Sequence, residues 1–216
     1  MDMGRFLPSS FVSQWNNPVV SIQKGIVQFD GSESSRAAPS PDWLAALGKP
    51  VGVYWFKSPN MSSAIQMHYF PNMLDNKSWV RVFSSPYAST ATINLLGNNI
   101  DFRGLCVQRN DISIRNYGYL SANALYNTRG DTTTATSGPL SGYRIFLGYA
   151  GGHGFYTTGQ NPCSWSTASG SIGAGYDGAT CGSGLNDLRW GTGNGSGPTY
   201  DNRSGTWEHW IWWPTP

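Results

Sequence analysis

The sequence predicts a mainly β protein with one or two short helices and long ordered loops, preceded by an extended N-terminal arm. Three observations carry this. The charged fraction is only 12% while 27 glycines, 10 Trp, 11 Tyr and 9 Phe are spread over 216 residues, a profile of packed strands and turns rather than of disorder. Short runs of β-branched and aromatic residues recur between Asn, Asp, Gly and Pro. Close to the end of the sequence stands Thr206–Trp213, TWEHWIWW, an aromatic run with no helix cap.

That last run sets the architecture. Alternation sends Trp207, His209, Ile211 and Trp213 to one side and Glu208, Trp210 and Trp212 to the other. Large aromatics on both sides imply either a strand covered on both faces, or one covered face and one face meeting a partner. Pro214 stops the run, and the strand is expected to close the domain.

From the start, residues 1–30 carry apolar residues without a helical period, broken at Pro8 and Pro18. Val19–Ile22 and Gly25–Phe29 read as two short strands around Gln23-Lys24. A piece this small has no core of its own and should dock on its own domain, a second copy or a larger assembly. Ser32–Ser40 reads as a polar linker. The division expected is an arm and linker over 1–36 and a head over 37–216.

Ser40 then caps a helix with Pro41 at its first position and Gly48 beyond its end, burying Trp43, Leu44 and Leu47. Val51–Phe56 and Ser63–Phe70 form a hairpin, and Trp79–Phe83 is a third strand with Arg81 among apolar neighbours. Thr92–Leu96, Leu105–Val107, Ile112–Ile114 and Arg144–Tyr149 are further strands. The 117–142 stretch is polar, Thr-rich and without clear period, and Ala150–Gly184 reads mostly as loop on the strength of its glycines.

Composition also excludes functions. A net charge of +2 with scattered arginines, Arg103, Arg109 and Arg115 being the nearest to a cluster, makes no case for nucleic acid or an anionic membrane. Neither a membrane-length apolar run nor a signal-peptide pattern is present, so synthesis in a cytoplasm is expected. Cys106, in an apolar stretch, reads as a small buried hydrophobe; Cys163 and Cys181 bracket a glycine-rich loop and either pair or stay reduced. Their spacing fits no zinc pattern.

Catalytic constellations are absent from the pattern. His68 and His209 stand in strands among aromatics, where structural hydrogen bonding is the simpler role. Neighbouring Glu208 and His209 point apart on a strand. No nucleophile elbow, metalloprotease helix, P-loop or dinucleotide fingerprint occurs; the glycines of 191–197 lead into no helix and carry no lysine. The chain is therefore read as a non-enzyme without cofactor or metal. Binding suits it better. His153, Tyr156, Trp165, Tyr176, Trp190 and Tyr200 lie among Gly, Ser and Asn, a mixture that pairs aromatic contact area with adaptable hydrogen bonding. The other reading of these aromatics is a satellite core beneath the loops.

Three groups of residues resemble a fibrinogen-related domain, in the form found in bacteriophage tail-fibre and other virion structural proteins. They are Ala37–Pro41 through the helix to Gly52-Val53-Tyr54-Trp55-Phe56; Gln66–Phe70 leading to Trp79–Phe83; and Trp190-Gly191 through Gly205–Trp212. The resemblance covers about residues 37–213, with its specific motifs at the two ends. Phe70 stands where that family has a cysteine, which suits assembly in a reducing cytoplasm. Cys163 and Cys181 fall near the family's second disulfide and calcium loop, but only Asp177 and Asp187 are nearby, too few for a calcium site. The resemblance implies a virion structural protein, a fibre or spike subunit forming a homotrimer. Residues 1–30 would attach to other virion proteins, and the head would bind host-surface glycan or receptor. The alternatives are a capsid decoration or head-fibre protein with a purely structural role, and a soluble secreted lectin. An enzyme of the cell envelope would need a constellation the sequence lacks.

Overall fold

A computed structural model describes residues 22–23, 26–27, 29–86, 98–109, 116–126, 129–148, 152–156, 172–176, 188–192 and 206–215. The strands are β1 (Ile22–Gln23), β2 (Ile26–Val27), β3 (Gly52–Phe56), β4 (Ile65–Leu74), β5 (Lys77–Pro86), β6 (Ile100–Arg109), β7 (Asn116–Tyr126), β8 (Arg129–Thr134), β9 (Arg144–Gly148), β10 (Gly152–Tyr156), β11 (Ile172–Tyr176), β12 (Leu188–Thr192) and β13 (Thr206–Trp212). The α-helix is α1 (Pro41–Ala46). The fold class is as expected, mainly β with a short helix. A six-stranded antiparallel sheet runs β3-β4-β5-β13-β6-β7, a five-stranded sheet runs β12-β11-β10-β9-β8, and β1 pairs with β2. Two compact units result, Met1–Val80 with Pro214–Pro216, and Arg81–Trp213. The expected strands Thr92–Leu96 and Ile112–Ile114 lie outside the described residues.

In the first unit the sequence signals act as read. The Ser40 hydroxyl accepts from Trp43 N at 3.1 Å, and Gly48 takes the left-handed conformation (φ +65°) that ends the helix. Trp43 and Leu44 are buried, but Leu47 is 42% exposed. The helix stops at Ala46, so Leu47 sits at its C-cap and leaves the apolar face.

The Ser32–Ser40 stretch corrects its reading as a linker. Trp55 N donates to Gly31 O (2.8 Å), Ala38 N to Trp55 O (2.8 Å) and Lys57 N to Ala38 O (3.0 Å), so the segment straps along β3. Ala37 and Ala38 are buried, and Trp43 Nε1 donates to the Phe29 carbonyl at 2.8 Å. The polar residues of the stretch form its outer turn, and the two alanines supply the contact.

The hairpin of β3 and β4 pairs Gly52 with Tyr69 and Phe56 with Ile65. A second hairpin joins β4 to β5 through Asp75-Asn76, both at positive φ (49° and 56°), the geometry that matches strand twist. Pro71 has no N–H for a ladder, and Asn72 beside it turns to φ +50° and gives its N–H to Ser78 Oγ. Phe56, Met67, Tyr69 and Trp79 from these strands are buried in the core of this unit beside Trp43 and Leu44.

The second unit is built around β13. Every residue from Trp207 to Trp213 is buried, which makes it a strand covered on both faces. It runs between β5 and β6 in the sheet interior, so the closing strand fills the middle and not an edge. Ile211 shares its register row with Leu105 and Gly118. A Cβ on Gly118 would lie 2.8 Å from Ala135 Cβ and 3.2 Å from Phe155 Cε1. Trp207, His209 and Ile211 therefore lie on the face turned towards β10.

Two further corrections concern stretches read as irregular. The 117–142 region contains most of β7 and all of β8, paired to β6 and β9. The 150–184 region contains β10 and β11. Threonines and alternating glycines hid these strands from a reading that sought runs of large apolar residues.

Candidate functional site

Four of the six candidate binding residues lie on β10, β11 and β12. His153 pairs with Leu147 on one side and Ala174 on the other, and Ala174 pairs with Trp190. One register row thus holds positions 147, 153, 174 and 190. Tyr176 pairs with Leu188, and Tyr156 with Arg144. His153 belongs to a strand and not to a flexible loop, which corrects the sequence reading. Trp165, Tyr200, Cys163 and Cys181 lie outside the described residues.

Alternation separates these positions into two sets. Phe155, Ile145 and Leu147 are buried, and positions 153, 176 and 190 share their parity. Tyr156, paired with Arg144, has the opposite parity, which is rich in glycine: Gly148, Gly152 and Gly175 share one row with Arg129 and Arg189, and Gly154, Gly173 and Gly191 share another with Thr132 and Phe146. The register thus gathers four candidate positions onto one sheet without setting all four on one face.

The polar groups inside the second unit are held by partners. Glu208, 6% exposed, accepts from Arg81 Nη1 at 2.6 Å and from Trp210 Nε1 at 3.2 Å. The Arg81 guanidinium also lies 5.6 Å from the Trp210 ring centroid. On the opposite face His209 Nδ1 is 2.9 Å from Tyr126 Oη, and burial pushes the Tyr126 phenol well above its ordinary 10.0. Glu208 and His209 thus point apart as alternation requires and form no acid–base couple. Cys106 is buried, with its thiol 3.7 Å from Gln108 Oε1, the small interior residue expected. Arg103 sits at the β6–β7 irregularity and donates to the Leu120 and Ser121 carbonyls at 3.2 and 2.8 Å. It is a structural arginine; the sequence reading missed this role because the bulge depends on pairing.

Among the described residues no group of three or more His, Cys, Asp or Glu is placed to hold a metal ion, and no helix is long and apolar enough to cross a membrane. Comparison of the chain with protein-family models, with curated proteins and with solved structures gave no match.

Proposed function

We propose that the chain is a bacteriophage virion protein: a non-enzymatic fibre or spike subunit whose head, residues 37–216, faces outward and binds a host-surface glycan. The binding half is supported by composition, aromatic residues set among Gly, Ser and Asn at His153, Tyr156, Trp165, Tyr176, Trp190 and Tyr200; of these the register joins positions 153 and 190 in one row through Ala174. Aromatic positions beside glycine suit the flat, weakly polar faces of sugar rings. The virion half is supported by the resemblance at the two ends of residues 37–213, and with it go a homotrimer and attachment through residues 1–30. A body held by buried tryptophans, without any need for a disulfide at Phe70, suits assembly in a reducing cytoplasm.

The test has two readouts. Mass spectrometry of purified particles should find the chain as a stoichiometric component, and the purified protein added to host cells should compete with particle adsorption. Presence in the particle without competition would leave a decoration or head-fibre protein. Absence from the particle would overturn the virion reading.

A further inference from the structure

We draw no further inference here: the strongest candidate, the glycine-paved face of the five-stranded sheet where Gly148, Gly152 and Gly175 lie near Gly154, Gly173 and Gly191, is a stripe of small residues with no second observation pointing to a ligand, and nothing in the structure shows what covers its buried Gly154.

Discussion

Replacing Arg81 by methionine should destabilise the protein far more than loss of a surface ion pair. The Glu208 side chain is 8% exposed and that of Arg81 29%, so the substitution leaves a carboxylate in the interior of the sheet with, among the described residues, Trp210 Nε1 as its remaining side-chain donor. Breaking a fully buried pair costs about 3–5 kcal/mol, against about 0–1 for an exposed one. The partial exposure of Arg81 and the remaining Trp210 bond lower the expected cost to about 2–3 kcal/mol. At roughly 2–4 °C per kcal/mol for a chain of this size, the melting temperature falls by about 4–12 °C. The informative partner is Glu208→Gln, whose amide oxygen still accepts from Trp210 but carries no charge. The double variant should be more stable than Arg81→Met alone by about 1 kcal/mol or more, because the stranded charge is gone. Urea denaturation followed by tryptophan fluorescence on all four proteins measures this cycle. If Arg81→Met stays within about 0.5 kcal/mol of wild type, or the two changes simply add, the pair behaves as a solvated surface contact and the reasoning fails.

Three other outcomes follow from the same geometry. Trp207→Ala, at a side chain with no exposure, should cost about 3–5 kcal/mol and show as insolubility or a collapsed melting temperature; an unchanged melt would mean that β13 is not a core strand. Gly118→Ala should cost about 1–3 kcal/mol by overpacking, since its Cβ would lie 2.8 Å from Ala135 Cβ; Ala135→Gly in the same chain should recover most of it, and no recovery would refute the contact. Burial opposes ionisation of Asp30, but hydrogen bonds from Ser32 and the nearby Lys49 ammonium outweigh it and hold the carboxyl below its ordinary 3.8. Its contribution is therefore present above pH 3.8 and lost as pH falls through the lower folded value. Solvent screening keeps this below about 1 kcal/mol, and Asp30→Asn should flatten the acid limb of the melting curve slightly; an unaltered limb would show that the Asp30 contacts do not stabilise the fold.

Elements with a local chemical cause were legible in the sequence. The Ser40-Pro41 start needs only one hydroxyl and one ring, and both act within four residues of chain. The β3–β4 hairpin and β13 announced themselves through large residues. The Asp75-Asn76 turn was local as well but was passed over, because neither residue is the glycine that usually marks such turns. The Ser32–Ser40 strap was misread for a different reason: its contact comes from Ala37 and Ala38, small residues without a pattern that distinguishes a docked segment from a linker.

The candidate site shows where sequence reasoning stops. In Gly152-His153-Gly154-Phe155-Tyr156 and Ile172-Gly173-Ala174-Gly175-Tyr176 the period of two is present, but it alternates glycine with larger residues rather than polar with apolar. Glycine weakens a strand taken alone, so such segments pass for loops. What makes them strands is their neighbours: Gly152 meets Gly175, Gly154 meets Gly173, and Gly173 meets Gly191. Register is a property of pairs of strands, fixed only when the chain has closed the intervening loops. Which candidate residues share a face was therefore not readable from position along the chain. The pairing of Ala174 with both His153 and Trp190 is what joins two of them, across 37 positions of sequence.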